Sequence, residues 1–223
     1  MTDRVRRLRR LLAPALLAVV PVAVAGQAPG DALAILEAAS ARYAALTSLC
    51  AGFEQTLEVP LVGQTTRSRG ELCQLDPNLF KMDFQDPAGD RIVADGTWLW
   101  LYFPSAQPDQ VIRSRMAAQN ESIDFHREFL QDPGVKYAPT LLGPETVGGA
   151  STHHLRLRPL QPSGYANVEV WLDTRQHWIR RIRIEQENGS VRTLDLADIR
   201  VDPPLRPGDF AFTPPPGATV VTG

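Results

Sequence analysis

The residues able to do chemistry in this chain are few: two cysteines, four histidines, and serines and acids scattered through its 223 residues. The histidines are poorly placed for catalysis. His153 and His154 are neighbours in a strand-like run, where adjacent side chains point to opposite faces, so they cannot share a metal. His126 stands alone in a helical stretch and His177 stands beside a strand start. No HExxH, CxxC or Asp-x-Asp ligand set occurs, so no metal site is expected. A GxSxG elbow, a Walker loop and a GxGxxG turn are missing too, so neither a nucleotide nor another cofactor is expected. Asn120-Glu121-Ser122 and Asn188-Gly189-Ser190 match the glycosylation pattern, a motif common by chance. This inventory reads as a protein that is not an enzyme.

Cys50 and Cys73 carry more information. If they face each other across a hairpin, paired residue numbers place Glu54 opposite Arg69 and Thr56 opposite Arg67. Phe53 then meets Gly70, and Ala51 meets Leu72. One face becomes polar and charge-paired and the other apolar, and a one-residue slip destroys both patterns. The pairing is therefore supported by residues other than the cysteines. In an oxidising compartment the two thiols should form a disulfide on the polar face; two buried free thiols are the alternative.

The elements around these residues follow from periodicity. Ala32, Ile35, Leu36, Ala39, Tyr43 and Leu46 mark an amphipathic helix with Asp31 as its N-cap. After Thr47 the period changes to two, and short strand-like runs follow, separated by turns such as Asp86-Pro87-Ala88-Gly89 and Asp95-Gly96. A second helix is expected over Asn120–Gln131, ended by Asp132-Pro133-Gly134. Strands resume from Tyr137 and end with Phe210–Thr213. The total is about ten or eleven strands in a meandering antiparallel sheet, since no crossover helices separate the later ones.

Charge and composition narrow the class. The net charge is −2 and 22% of residues are charged, so nothing favours nucleic-acid binding. An apolar content of 43% suits a folded domain. The first 25 residues hold Arg4, Arg6, Arg7, Arg9 and Arg10, then an apolar run ending in Ala23-Val24-Ala25. That is the pattern of a secretory signal peptide cleaved after Ala25; the run is short for a membrane anchor. Residues 1–25 are thus read as a signal peptide and 26–223 as one exported domain.

Apolar excess stands out on part of the sheet. Phe80, Met82 and Phe84 form one stripe, and Trp98 to Phe103 is apolar on both faces. A closed core and a ligand cavity explain this equally well. Phe53, Leu57, Leu72, Phe80, Met82 and Phe84 are expected to line one concave face, with the paired charges on the other.

At this point the chain resembles the periplasmic outer-membrane lipoprotein carrier proteins, the LolA family. The matching pieces run in order: the opening helix into Ala51-Gly52-Phe53-Glu54-Gln55, then Gly70-Glu71-Leu72, Pro77-Asn78-Leu79-Phe80 with Met82, Asp95 to Tyr102, and Phe210 to Gly217. The resemblance implies a mainly β fold, an unclosed antiparallel β-barrel with a helical lid over a concave hydrophobic face. It implies a cavity for the acyl chains of lipoproteins, lined by the residues above with Leu99 and Leu101. The lid would use Ile35, Leu36, Ile123, Phe125 and Phe129. The implied partners are acylated lipoproteins, an inner-membrane ABC exporter and an outer-membrane receptor, met in the periplasm by a monomer. Phe80 matches the family's cavity phenylalanine.

One position departs from the pattern. Where the family has an Arg that hydrogen-bonds the lid, this chain has Asp76, and Arg67, Arg69 or Lys81 stand near enough in sequence to substitute. The second helix is also more polar than expected, with Asp124, His126, Arg127 and Glu128. A lipid-binding or sensing domain of the same fold is the competing reading, and a small exported hydrolase a more distant one.

Overall fold

A computed structural model describes residues 29–116 and 125–223. The described residues open with helix α1 (Pro29–Ala44) and continue into β1 (Ser48–Val59), β2 (Gln64–Leu75), β3 (Leu79–Asp86), β4 (Ala88–Asp95), β5 (Trp98–Tyr102) and β6 (Gln110–Arg115). Two short helices follow, α2 (Phe125–Phe129) and α3 (Pro133–Lys136). Then come β7 (Tyr137–Val147), β8 (Ala150–Pro159), β9 (Tyr165–Asp173), β10 (Ile179–Gln186), β11 (Val191–Val201) and β12 (Thr219–Thr222).

Among the described residues, twelve strands form one sheet in the order β12-β6-β5-β4-β3-β2-β1-β11-β10-β9-β8-β7. Its two edges, β12 and β7, do not pair with each other, so the sheet is unclosed. Side chains from β1–β4 and β7–β11 nevertheless share a single buried cluster with Ala32, Leu36, Ala39 and Tyr43 of α1. Laid flat, nine strands would span about 40 Å, roughly four times the width of a helix. One connected cluster requires the sheet to curl around α1, leaving an inner face toward the helices and an outer face away from them.

The first hairpin has the expected register. Cys50 pairs with Cys73, Phe53 with Gly70, Glu54 with Arg69 and Thr56 with Arg67. Gly70 is required there: a Cβ would lie 2.1 Å from the Asp83 carbonyl oxygen and 2.9 Å from the Phe84 Cα. The disulfide is present, with the cysteines 23 residues apart in sequence.

Several expectations are corrected. The disulfide does not lie on an open polar face: Cys50 and Cys73 are buried beneath Phe210, with Leu75, Leu79 and Leu205 packed around them. Phe210–Thr213 is not a strand. Phe210 closes a 3-10 turn at Pro207–Phe210, and the next residues run without ladder pairing. Pro214, Pro215 and Pro216 have no N–H to donate, which disfavours a strand at that point. The true last strand, β12, is built from the β-branched Thr219-Val220-Val221-Thr222 and pairs parallel to β6, while the other strand pairs among the described residues are antiparallel. Helix α1 starts before Asp31, which sits in its first turn, where a carboxylate favours the helix dipole, rather than at the N-cap. Asp132-Pro133-Gly134 does not simply end a helix: Asp132 takes a left-handed conformation and Pro133 opens the next helical turn. Of the expected helix at 120–131, Phe125–Phe129 is helical and 117–124 lie outside the described residues.

Candidate functional site

The inner face collects most of the residues expected there. Phe53, Leu72, Phe80 and Met82 are buried in the shared cluster, at most 3% exposed, and Phe84 packs against it. Phe84 meets Phe53 edge-on at 5.1 Å between ring centres. Leu99 is buried and Leu101 half-buried; they pair with Ala94 and Ile92, which belong to or pack on the same cluster. Leu57 lies beyond the cluster, half-buried on the outer reach of β1. Glu54 and Arg69 are exposed on the opposite face.

The apolar run at 97–103 divides by parity. Leu99 and Leu101 turn inward, whereas Trp98, Trp100 and Tyr102 form an outer cluster with Val93, Val111 and Phe212 of the C-terminal segment. Asp95 anchors this patch by accepting hydrogen bonds from the Trp100 ring N–H and the backbone N–H groups of Trp98 and Thr97. Burial alone would raise the Asp95 carboxyl, but these donors outweigh it and hold it below its ordinary value.

The helices cover the inner face. Leu36 of α1 is fully buried, Ile35 packs against the cluster, and Phe129 of α2 is buried between Tyr137 and Tyr165. Phe125 lies in α2, and Ile123 falls outside the described residues. A five-residue helix cannot hold itself together by its own hydrogen bonds, so its attachments decide its position.

Those attachments are specific. Lys136 Nζ donates to the carbonyls of Arg127 at 2.7 Å and Glu128 at 3.1 Å, covering two acceptors that the helix end leaves unpaired. The Tyr137 hydroxyl donates to the Glu128 carboxylate at 3.0 Å. Burial, with the Glu128 charge beside it, pushes the Tyr137 hydroxyl far up, so it remains a donor. The third attachment answers the departure at Asp76. Arg127 of α2 reaches across and pairs with Asp76 at 3.1 Å. Here the cation is on the helix and the anion on the β2–β3 turn. Among the described residues no contact from Arg67, Arg69 or Lys81 to α2 is seen; Lys81 pairs with Asp83 at 3.5 Å. The available sequence signal was an acid at 76 together with a cation at 127 in the second helix.

Two of the histidines are placed by local contacts. His154 stacks on Trp171 at 4.0 Å and lies between the carboxylates of Glu145 and Glu169. His177 sits in a turn at φ 58°, not in a strand. Among the described residues, the one group with metal-ligand spacing is Glu71 with Cys50 and Cys73, whose sulfurs are consumed by the disulfide.

A curled, unclosed sheet with one apolar face under short helices defines the class: a single-sheet half-barrel with a helical stopper. The family model described as "Outer membrane lipoprotein carrier protein LolA" matches residues 44–213, and the chain belongs to that family. An outer-membrane lipoprotein carrier protein of Actinobacillus pleuropneumoniae serotype 7 (strain AP76) is 33% identical over 97 residues, covering 44% of this chain and 45% of its own. The match thus spans about half the length of that relative. The corresponding protein of Neisseria gonorrhoeae is 23% identical over 171 residues, covering 76% of this chain and 78% of its own. Among solved structures, an uncharacterized conserved protein from Thermus thermophilus superposes with a TM-score of 0.56 at 15% identity, covering 86% of this chain and 99% of its own. MucB superposes with a TM-score of 0.51 at 16% identity, covering 82% of this chain and 63% of its own. These two likenesses concern the fold alone.

Proposed function

We propose that the protein is a periplasmic carrier that takes up the acyl chains of lipoproteins between its helices and the inner face of its sheet. The observation that supports this most directly is the contrast between that face and its cover. The face is apolar over most of the sheet, while α2 is one short helix held by a few polar contacts. Each methylene kept out of water is worth about 0.8 kcal/mol, so an acylated protein cannot cross water unshielded. Among the described residues, displacing α2 breaks the exposed Arg127–Asp76 pair and the hydrogen bonds from Lys136 and Tyr137, and an acyl chain can then replace the apolar contacts of Phe129. No step in this task calls for bond-making chemistry. The cargo would be received from an inner-membrane ABC exporter and delivered to an outer-membrane receptor, by a monomer exported through its N-terminal signal.

The test is Phe80→Glu. When the cover swings away, the face meets water and a carboxylate at position 80 can be hydrated; in a permanently closed core it cannot. The expected outcome is a variant that still folds, with a lowered melting temperature because the cover must open to hydrate the carboxylate, and that loses lipopeptide binding by orders of magnitude. Collapse of the fold would identify a plain core and overturn the proposal. Mass spectrometry of material co-purified from periplasm should find acylated protein; free lipid there would point to a lipid-binding or sensing role instead.

A further inference from the structure

The β1–β2 hairpin ends in a feature that the sheet does not need. β11 flanks β1 as far as the Glu58–Val191 pair, so on that side only Val59 and the turn extend past their neighbour; on the other side, Gln64–Ser68 of β2 run beyond the last β3 pair, Arg69–Asp86, with no partner among the described residues. The turn is a single 3-10 turn at Pro60–Val62 closed by Gly63, whose N–H donates to the Pro60 carbonyl at 3.1 Å and whose φ is 65°. Leu61 is 89% exposed and Val62 64% exposed. From Val59 to Thr66 there is no charged residue. Such a pair of aliphatic side chains at a charge-free tip loses favourable free energy as long as it stays in water.

The tip also continues the inner face. Phe53, Leu57 and Val59 share one side of β1 and lead outward from the buried cluster, from buried to half-buried. Gln55 interrupts this track and turns its amide to Ser68 on the facing strand. The base of the hairpin is held by the Cys50–Cys73 disulfide, so the projection has a firm root.

We propose that the Leu61-Val62 tip inserts into the acyl boundary of a lipid bilayer and sets the hairpin's apolar side as the path between membrane and inner face. A bilayer fits the shape better than a protein does. A specific protein interface needs roughly 800 Å² and 20 to 30 residues from each partner, with aromatic and Arg anchors. Eight uncharged residues on a convex tip supply neither, whereas fluid lipid closes around any protrusion. The driving force is apolar burial, so the contact is weak, reversible and little affected by salt. The path rests on the carrier reading; the insertion itself does not.

The experiment uses the oxidised mature protein and protein-free vesicles of phosphatidylethanolamine with a minority of phosphatidylglycerol. An environment-sensitive fluorophore on the Leu61→Cys variant should shift to the blue with vesicles and become protected from iodide. The double variant Leu61→Ser/Val62→Ser should bind vesicles about tenfold less well, melt as wild type does, and keep wild-type lipopeptide binding in solution. A fluorophore that stays open to iodide, or unchanged vesicle binding by the double variant, overturns the proposal. So does a signal that appears only when a membrane protein is reconstituted into the vesicles, which would make the tip a protein contact. If wild type takes up no lipopeptide, the carrier reading fails and the vesicle readout still judges the tip.

Discussion

Phe53 and Glu54 are neighbours in the chain and face opposite surroundings. Phe53 is buried with Phe84, Leu72 and α1 on the inner face; Glu54 stands in an open groove with Arg69, Arg181, Asp195 and Arg200. The inner face is held by packing, which is short-ranged and intolerant of changed volume. The outer face beside it is held by ion pairs such as Arg181 with Asp195 at 2.6 Å and Arg200 with Glu71, all partly open to water. Where the outer face is buried, as under Phe210 and Phe212, it behaves like the inner one. The lesson is that the cost of a change follows burial rather than face, and the following measurements test that ordering.

The largest effect is expected from Gly70→Ala. The added methyl would meet the Asp83 carbonyl and the Phe84 backbone, neither of which is free to yield, because both lie inside the β3 ladder. A loss of about 4 kcal/mol or more in chemical denaturation is expected; a loss below about 1 kcal/mol would show that β3 slides and that the close approach is not fixed.

Next is the disulfide beneath Phe210. Cys50→Ser with Cys73→Ser releases a loop spanning 23 residues and places hydroxyls in an apolar cluster. About 3 kcal/mol should be lost on the chain-entropy model. Titration of denatured, unreduced wild type should find no thiol, and two thiols in periplasm-derived material would contradict the bond.

Acid should then weaken the β8–β10 region. Burial, and next the charge of His177, lowers His153 from its ordinary value of 6.5. The folded state therefore holds His153 neutral while the unfolded chain takes up a proton, so stability declines as pH falls through 6.5. Glu169 and Asp173 follow at lower pH. Burial alone would raise both, but donors from Arg156 and His154, and from the Arg175 and Gln176 backbone with Arg180, hold them down. Carboxyls lowered by folding contribute stability above their ordinary values of 4.5 and 3.8, lost as pH falls through their folded values. Melting scans should drop by a few degrees in a first limb that His153→Gln removes, and further in a second that it leaves intact.

The smallest effect on stability belongs to Arg127→Ala. Its pair with Asp76 is exposed, so about 0.5 kcal/mol is expected from denaturation. Uptake of a fluorescent lipopeptide should nevertheless quicken, because the cover has lost its side tether. Equal uptake rates in variant and wild type would mean that the Arg127–Asp76 pair does not restrain α2.

Much of the fold was legible because a sheet repeats every two residues. The hairpin register follows from setting Cys50 opposite Cys73 and is supported by Glu54 with Arg69 and Phe53 with Gly70, since any slip exchanges its faces. The inner residues Phe53, Leu72, Phe80 and Met82 were legible for the same reason. The Arg127–Asp76 contact spans 51 residues, and local periodicity cannot join such distant groups. The C-terminal segment misled because Phe210-Ala211-Phe212-Thr213 has strand composition. Its aromatic rings instead serve as covers, Phe210 for the disulfide and Phe212 for Trp100 and Tyr102.

By itself the sequence determined what is encoded locally: strand alternation, the α1 stripe and the cysteine pairing. The tertiary structure decided what depends on elements meeting from far apart: that the sheet curls around α1, that the polar-side disulfide is roofed by Phe210, that β12 adds parallel to β6, and that the cover is tied by a cation of its own. The physical reason is range. Backbone geometry and side-chain alternation act between near neighbours and can be read along the chain, whereas burial is a property of the assembled surface and exists only once the sheet has curled around its helices.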